Sequence, residues 1–458
     1  MYTKTKFPVL FLNAAIIFSA NQACADTNSA TAQEVPQTVA IGSYLNSDGG
    51  TVPLAYYNGG IDWKLSSPLP LPTNVLQSPG QQNSFLNGAA CFKNSGACTS
   101  VGAFITNSHG YAPLIYVSTD RGAHWSLSAN LPLPDDLSTP AESVQTALLG
   151  VACSASEVSN CSTVGYYTNS SGATVPLSYT SSDGQNWTLS ETFPMPADAM
   201  MPENKQRSIL YGISCDGQTC TAVGSYTNTN KSIAPLSYTS TNGGQSWTLS
   251  QASLPLPADV PNNNQMSELR SIVCNSTDIC SAVGYYYNNK TGVSPLSYIS
   301  SNGGVSWQLS STLPLPSDVI GQTFRQKTYL NGIYCSKTGL NCSAVGYYTN
   351  KSGTVSTLSY TSDNAGSSWS VSTSPLPLPA DSATGFLSNS GLFSILCDSS
   401  KNICNSVGYY RKAGDVGIAP LSYVSTDGGI TWDVNPIDLN LPADAAQENQ
   451  LSRLNGVN

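Results

Sequence analysis

Tryptophan recurs at a regular interval along this chain and constrains its architecture more than any other feature. The sequence holds seven tryptophans, spaced 60 to 63 residues apart. They are Trp63, Trp125, Trp187, Trp247, Trp307, Trp369 and Trp432. A unit of about 60 residues with several short β-rich runs cannot bury its apolar faces alone, so neighbouring units must pack on one another.

Residues 327–379 show the order of elements within one unit. Four short apolar runs are separated by turns rich in glycine, asparagine and serine, which predicts four antiparallel strands. Seven such units predict an all-β fold, a seven-bladed β-propeller of four-stranded antiparallel blades. The first unit begins at Thr38 with a second strand, whereas residues 454–457 match a first strand. We therefore expect the C-terminal strand to complete the first blade and close a propeller spanning residues 38–458.

The first 37 residues differ from the repeat. Two lysines precede an apolar run and a small-residue site at residues 23–25, which is typical of a signal peptide. We expect residues 1–25 to be the signal peptide and residues 26–37 to be a short linker. The alternative is a lipoprotein acylated at Cys24, but the residues just before this cysteine fit that pattern poorly. No later stretch of the sequence is long and apolar enough to span a bilayer.

The cysteines beyond Cys24 fall into six close pairs, each at the same place in its repeat. The pairs are Cys91/Cys98, Cys153/Cys161, Cys215/Cys220, Cys274/Cys280, Cys335/Cys342 and Cys397/Cys404. Their variable spacing suits hairpin loops closed by disulfides better than metal sites, which hold their spacing. Disulfides predict an oxidising location, namely the periplasm, the cell surface or the medium.

Charge and histidine content exclude several functions. Without the signal peptide the chain has 16 basic and 27 acidic residues, which disfavours non-specific binding of nucleic acid. His109 and His124 are the two histidines and occupy different repeat positions, so a histidine-based metal site or a Ser-His-Asp triad is not expected. We predict no metal, no cofactor, no nucleic-acid partner and a monomeric protein.

The turn before each tryptophan resembles the Asp-box, or bacterial neuraminidase repeat, whose pattern is Ser/Thr-x-Asp-x-Gly-x-x-Trp. Two turns match fully and place Asp120, Gly122 and Trp125, then Asp427, Gly429 and Trp432, at the defining positions. The other units depart from the acidic position, with Asn242, Asn302, Asn364, Ser182 and, after Tyr56 in the first unit, Asn58. The box is expected to be structural, because its polar side chain accepts turn hydrogen bonds, its glycine permits positive φ and its tryptophan plugs the hairpin.

This resemblance covers residues 38–457 but reaches only the scaffold. Asp-box propellers include sialidases and some glucan hydrolases, whereas sortilin-like receptors and photosystem assembly factors bind without catalysis. A sialidase would need three arginines that converge on the substrate carboxylate, a Tyr/Glu nucleophile pair and an acidic Asp. The six arginines of this chain occupy different repeat positions. The resemblance therefore implies a sialidase-like or sortilin-like scaffold without the sialidase active-site motifs.

The connectivity of a propeller predicts which face carries function. Disulfide loops and Asp-boxes should share one face, and the links between units should share the other with the turns between second and third strands. The links begin with a Leu-Pro-Leu-Pro run, as at residues 254–257, and then differ in sequence. Their variation favours the link face as the functional one. The Leu-Pro runs are interpreted as structural spacers rather than ligands of polyproline-binding modules.

Two sets of residues on the link face are candidate binding residues. The first follows the Leu-Pro runs and either binds cations or sugar hydroxyls or only caps a turn: Asn74, Asp136, Asp198, Asp259, Asp318, Asp381 and Asp444. The second consists of tyrosines that differ between blades and are candidate stacking platforms for sugars or peptides: Tyr166, Tyr285, Tyr347 and Tyr409. The aromatic residue after each of these positions is uniform and is predicted to pack between blades: Tyr44, Phe104, Tyr167, Tyr226, Tyr286, Tyr348 and Tyr410.

These observations predict a secreted, non-catalytic binding module that recognises a glycan or protein partner through the link face. The alternative is a glycoside hydrolase, which needs a pair of carboxylates about 5 to 9.5 Å apart. Glu142, Glu203 and Glu268 break the repeat on this face, but solvation in polar loops is the simpler interpretation of these residues. A structural or surface-layer role is a third alternative.

Overall fold

The computed structural model of this protein describes residues 38–458 apart from short gaps. The gaps are residues 58–62, 93–94, 129–130, 155–159, 202–205, 252, 262–264, 276–277, 290–291, 322–325, 373–374, 399, 401, 415–416 and 436–438. The predicted signal peptide and linker lie outside the described residues. The described chain is almost entirely β-structure, with short 3-10 helices at Ala141–Ser143 and Gly385–Leu387. No helix in it is long and apolar enough to cross a membrane.

The strands form groups that follow the tryptophan repeat. The first group begins with β1 (Val39–Leu45), β2 (Thr51–Tyr57) and β3 (Lys64–Leu65). The second contains β4 (Ser84–Cys91), β5 (Cys98–Ile105), β6 (Tyr111–Ser118) and β7 (Ser126–Leu127). The third contains β8 (Thr146–Cys153), β9 (Cys161–Thr168), β10 (Thr174–Ser181) and β11 (Thr188–Leu189). The fourth contains β12 (Ser208–Asp216), β13 (Thr219–Thr227), β14 (Ile233–Ser240) and β15 (Thr248–Leu249).

The later groups contain the same four strands in the same order. The fifth contains β16 (Ser267–Cys274), β17 (Cys280–Asn288), β18 (Gly292–Ser300) and β19 (Gln308–Leu309). The sixth contains β20 (Gln326–Cys335), β21 (Cys342–Thr349), β22 (Val355–Ser362) and β23 (Ser370–Val371). The seventh contains β24 (Ser390–Asp398), β25 (Ile403–Arg411), β26 (Gly417–Ser425) and β27 (Asp433–Val434). The chain ends with β28 (Gln450–Leu451) and β29 (Arg453–Val457).

Pairing within the groups is antiparallel and sequential. β29 pairs with β1, which gives the first group the order β29-β1-β2-β3. The described strands make six hydrogen-bonded sheets, because Gly292 and Val293 of β18 pair in parallel with Gln326 and Lys327 of β20 and join two groups into one sheet. β28 pairs in parallel with β26. The predicted all-β class and its four-stranded antiparallel units are confirmed.

One strand of each group borders a common cavity of about 160 Å³. We call these seven the inner strands; they are β29, β4, β8, β12, β16, β20 and β24. Each contains a β-bulge at the same position, where one extra residue interrupts the register with the second strand. A bulge re-aims a side chain, and here the bulged residues line the cavity: Asn87, Leu149, Tyr211, Arg270, Asn331, Phe393 and Asn455. The bulge therefore sets which side chains face the cavity.

The Asp-box tryptophans also pack between neighbouring groups, in addition to their predicted place at their own hairpins. Five of them donate an indole hydrogen bond to a serine on the third strand of another group. The pairs are Trp63 to Ser422, Trp247 to Ser178, Trp307 to Ser237, Trp369 to Ser297 and Trp432 to Ser359, at 3.0–3.3 Å. At the position equivalent to these serines the first group has Ala55. The buried indole N–H of Trp125 accordingly has no hydrogen-bond partner in the described structure.

We expect Ala55→Ser to stabilise the protein by about 1 kcal/mol, because it supplies an acceptor to a buried donor that now lacks one. Ala55 is 1% exposed, so the new hydroxyl is also shielded from water. Urea denaturation measures the effect. The control is the same substitution in a Trp125→Phe background, where no indole N–H exists and no gain is expected. A gain of equal size in both backgrounds would contradict the explanation.

Six disulfides join the predicted cysteine pairs. They are Cys91–Cys98, Cys153–Cys161, Cys215–Cys220, Cys274–Cys280, Cys335–Cys342 and Cys397–Cys404. The two cysteines of each pair lie opposite each other in the antiparallel ladder. Each disulfide therefore crosses from the end of an inner strand to the start of the second strand.

The second cysteine of each pair is a buried strand residue. Cys220 is 1% exposed and Cys404 is 0% exposed. Both belong to the apolar cluster that contains the tryptophan of their own group. In these two groups the ladder continues for one residue pair past the disulfide, as Asp216 with Thr219 does in the fourth. The disulfides thus cross-link paired strands, because a cysteine at this register position faces its partner directly.

The Asp-boxes lie beside the disulfide loops. For example, the Arg121 N–H donates to the Gly96 carbonyl within the second group, and the Gly303 N–H donates to the Asp278 carbonyl within the fifth. Disulfide loops and Asp-boxes thus share one end of the strands, and the links between groups lie at the other end.

Candidate functional site

The aspartates that follow the Leu-Pro runs contact tyrosine hydroxyls. Each tyrosine is the uniform aromatic residue of the second strand in the group that the link enters. The hydroxyl-to-carboxylate pairs, at 2.7–3.0 Å, are Tyr44 with Asp444, Tyr167 with Asp136, Tyr226 with Asp198, Tyr286 with Asp259, Tyr348 with Asp318 and Tyr410 with Asp381. The second group carries Phe104, which has no hydroxyl, and Asn74, which has no carboxylate. The tyrosine and the aspartate are thus replaced in the same group. One carboxylate oxygen of each of the six aspartates therefore attaches a link to the second strand of the group that the link enters.

Tyrosine hydroxyls also hold the Leu-Pro runs. The buried tyrosines of the third strands donate to the carbonyl of the first proline of each run, as Tyr116 does to Pro70 and Tyr298 does to Pro255. Tyr56 has the same role, because its hydroxyl donates to the Asn440 carbonyl. Tyr56 is therefore a core residue of β2, and its predicted Asp-box partner Asn58 lies outside the described residues. These contacts support the interpretation of the Leu-Pro runs as structural spacers.

The Asp-box turns are closed by internal hydrogen bonds. In the second group Ser118 Oγ accepts the Gly122 N–H and Asp120 Oδ1 accepts the His124 N–H. The third group corrects a prediction, because Asp183 rather than Ser182 accepts the turn N–H groups. The loop there is one residue shorter between serine and glycine. Although desolvation opposes it, hydrogen bonds from Asn186 and Gln185 hold the pKa of Asp183 at about 2.

A buried carboxylate marks the link end of the inner-strand cavity. The side chain of Glu268 in β16 is 3% exposed, and its carboxylate lies 2.6 Å from Arg270 Nη2 and 3.6 Å from Arg207 Nη1. The prediction that Glu268 is solvated in a polar loop is therefore wrong, because the residue belongs to a strand and faces two guanidinium groups. Glu142 is exposed in the 3-10 helix Ala141–Ser143, and Glu203 lies in an undescribed gap.

Arg270 is the bulged residue of β16 and links the carboxylate to aromatic rings. Its guanidinium lies 4.1 Å from the ring centroid of Tyr211 and 5.3 Å from that of Tyr285, and its Nη2 donates to the Tyr285 hydroxyl at 3.2 Å. Cations over aromatic faces are attracted by the ring quadrupole. Burial alone would lower the pKa of Arg270, but Tyr211 and Glu268 together raise it. The guanidinium is therefore held charged between two tyrosines.

A row of aromatic rings continues from this cluster along the link end of neighbouring groups. Tyr329 contacts Tyr285 and Tyr347, with ring centroids 4.7 and 4.9 Å apart. Gly391 extends the row, because its missing side chain leaves space between the rings of Tyr347 and Tyr409, which lie about 3 Å from where a Cβ would stand. We call the surface formed by these rings, Glu268 and the nearby arginines the mouth site; it adjoins the cavity because Tyr211 and Arg270 line the cavity.

The four candidate tyrosines have different environments. Tyr166, Tyr347 and Tyr409 are partly exposed, so each presents ring surface to solvent. Tyr285 is 6% exposed, because Arg270 and Tyr329 cover it, and it is not a surface platform. Sequence reasoning missed Tyr211, Tyr329 and Arg270. The one available signal was that the inner-strand positions around each bulge differ between repeats, whereas their neighbours are uniform.

The comparisons with known proteins bear on the repeat and on the fold. The family profile of the BNR/Asp-box repeat matches residues 423–434. The chain therefore contains a BNR/Asp-box repeat at these residues. No curated protein sequence matches it significantly.

Solved structures resemble this chain in fold. An ulvan lyase from a new polysaccharide lyase family has a TM-score of 0.51 at 9% identity, over 86% of this chain and 91% of that chain. The same enzyme bound to -[GlcA(1-4)Rha3S]- has a TM-score of 0.50 at 9% identity, with the same coverage of the two chains. A Hadza microbial sialidase has a TM-score of 0.41 at 10% identity, over 70% of this chain and 62% of that chain.

Proposed function

We propose that residues 38–458 form a closed seven-bladed propeller that acts as a non-catalytic glycan-binding module. Contacts between the two ends of the chain support closure. β29 pairs with β1, the Trp63 indole donates to Ser422, and the Tyr44 hydroxyl donates to Asp444. Gln450 adds two hydrogen bonds to the backbone of Leu45, one through each side-chain heteroatom.

The tyrosine row of the mouth site is the observation that supports glycan binding. Aromatic rings present flat apolar surface at low entropic cost, and a hydroxyl at the ring edge can hydrogen-bond a sugar. Tyr347 and Tyr409 are partly exposed on either side of Gly391, and their rings pack against Tyr329 and Phe393 respectively. The ulvan lyase that shares the fold acts on a polysaccharide according to its description, which is consistent with a carbohydrate ligand here.

The alternative function, glycoside hydrolysis, has one observation in its favour. Glu268 is a buried carboxylate beside the hydroxyl of Tyr285, which hydrogen-bonds it. Hydrolysis by the two-carboxylate route needs a second acid at about 5 to 9.5 Å. Both guanidinium neighbours of Glu268 instead compensate its charge, which suits a fixed structural anion and supports the binding proposal.

We further propose that the protein is secreted and monomeric, with residues 1–25 as its signal peptide and residues 26–37 as a linker. The six disulfides support an oxidising location, because such bonds persist outside reducing compartments. A glycan partner outside the cell is compatible with this location.

We expect Tyr347→Ala to weaken glycan binding about tenfold, because the loss of a stacking ring removes roughly 1.4 kcal/mol. The secreted chain is screened on a glycan array, and the best ligand is titrated by calorimetry. Tyr347→Phe keeps the ring and should stay within about threefold of the parent affinity. The control is His124→Ala, which removes an exposed ring at the opposite, Asp-box end of the strands and should leave glycan binding unchanged.

Chromogenic glycosides are assayed on the same preparation. Turnover that is abolished by Glu268→Gln would replace the binding proposal with the hydrolase alternative. Glycan binding that is insensitive to Tyr347→Ala would reject the mouth site while keeping the function. Absence of any glycan binding and of turnover would reject both and leave a protein partner.

A further inference from the structure

Positive side chains gather at the mouth site although the chain as a whole is acidic, with a net charge of −9. Arg207, Lys327 and Arg453 are exposed at the link ends of three different inner strands, and Arg270 lies close to Arg207, since both contact Glu268. Glu268 is the carboxylate of the site. Among the described residues, two of these four cations contact Glu268, and Lys327 and Arg453 lie on inner strands that also border the cavity, whereas acidic residues outnumber basic ones in the whole protein.

The positive side chains of the mouth site differ in how closely they approach a carboxylate. Glu268 pairs closely with Arg270 at 2.6 Å, while Arg207 is more distant at 3.6 Å and its side chain is 46% exposed. Within the described residues, neither Lys327 nor Arg453 has a carboxylate within 4.0 Å. These two cations therefore carry charge that no residue of the described chain compensates by a direct ion pair.

Arg453 lies near one end of the tyrosine row, because its strand β29 packs against β24 and β25, which carry Gly391 and Tyr409. Burial and the neighbouring Tyr347 raise the pKa of Tyr409 to about 12, and the charge of Arg453 acts in the opposite direction on this hydroxyl. The Tyr409 hydroxyl is engaged with Asn389 Oδ1 at 3.0 Å, so the phenol does not neutralise the guanidinium. A sugar stacked on Tyr409 would lie beside the strand that carries Arg453.

We propose that the mouth site selects acidic sugars, which carry a carboxylate or a sulfate ester, over neutral sugars, and that Arg453 is the principal contact of the acidic group. The inference rests on the glycan-binding function proposed above. A guanidinium presents paired N–H donors that match the two oxygens of a carboxylate or sulfate, and such charge-assisted bonds are about twice as strong as neutral ones. Tyrosine rings contribute the sugar contact, and the uncompensated cations contribute the selectivity.

The test uses pairs of glycans that differ only in charge. Oligogalacturonate is compared with its methyl ester, and a sulfated galactan with its desulfated form, by calorimetry on the secreted chain. We expect one acidic member to bind at least tenfold more tightly than its neutral partner, and the better pair identifies whether carboxylate or sulfate is preferred. Arg453→Gln should reduce binding of the acidic glycan about tenfold and leave the neutral one within about twofold.

Lys351→Gln is the matched control, because it removes a positive charge from an exposed turn at the same end of the strands and should change neither affinity. Equal affinity for the acidic and neutral members of both pairs would overturn the inference while the glycan-binding function stands. Equal losses from Arg453→Gln and Lys351→Gln would also overturn it, because a general field effect would then explain the selectivity. Absence of binding to every glycan of the array would reject the inference together with the proposed function.

Discussion

Replacement of Gly102 by alanine is expected to destabilise the protein by about 4 kcal/mol or more, and to prevent accumulation of folded protein if the loss exceeds the total stability. Gly102 lies in β5 opposite the bulge of β4 and pairs with Leu86. A Cβ at this position would overlap the backbone carbonyl oxygen of Phe85. The inner strand cannot move away freely, because the bulged Asn87 donates to the Leu148 carbonyl of the next group.

The yield of secreted protein and the urea midpoint of any folded fraction measure the effect of Gly102→Ala. Gly321→Ala is the control, because Gly321 is exposed and nothing in the described part of the chain lies within 4 Å of the position of its Cβ. That variant should match the parent protein within about 0.5 kcal/mol. If Gly102→Ala were as stable as the parent, the close approach at the bulge would not be a constraint on this fold.

The same overlap occurs in every group, which explains a pattern visible in the sequence. Glycine occupies the equivalent second-strand position in all seven, and each would meet the carbonyl of its inner strand: Gly42, Gly102, Gly165, Gly224, Gly284, Gly346 and Gly408. Sequence reasoning identified these segments as strands but gave no role to the glycine. Its role depends on a bulge in a partner strand, and a bulge leaves no mark in the alternation of one strand read alone.

The repeating parts of the structure could be predicted because each has a local cause. Tryptophan spacing, cysteine pairs and turn residues report contacts that recur with the 60-residue period, so seven copies reinforce one signal. The contact between Asp136 or its equivalents and a tyrosine could also have been predicted from the sequence, because Phe104 and Asn74 replace both residues in the same group. That joint departure indicates direct contact between the two positions, which the structure shows in the other six groups.

The mouth site could not be predicted in the same way because its residues do not repeat. Glu268, Arg270 and Tyr285 come from one group, but Tyr211 and Tyr329 come from its neighbours, about 60 residues away in sequence. Their meeting depends on how adjacent inner strands pack and on the bulge that turns position 270 toward the cavity. The six arginines occupy different positions of the repeat, which suggested that they lie far apart in the fold. Two of them nevertheless meet at Glu268.

Glu268→Ala is expected to cost about 2 to 4 kcal/mol of stability, because it removes one partner of a buried ion pair and leaves the other charge uncompensated. This loss of stability is smaller than the largest losses known for broken buried ion pairs, because the Arg270 side chain is 33% exposed and keeps some contact with water. The loss also removes the acceptor that orients Arg270 between Tyr211 and Tyr285. Urea denaturation measures the stability, and the calorimetric titration described above measures the effect on glycan binding.

The double variant Glu268→Leu with Arg270→Met separates the charge from the packing. Apolar residues of similar volume commonly replace a buried ion pair at little or no cost, so the double variant should lie within about 1 kcal/mol of the parent protein. Binding should still be weakened, because Arg270 no longer holds the rings of Tyr211 and Tyr285 in position. If the double variant were as unstable as Glu268→Ala, the pair would be required for the fold itself. If the double variant matched the parent protein in both stability and glycan binding, the ion pair would have no role in the mouth site.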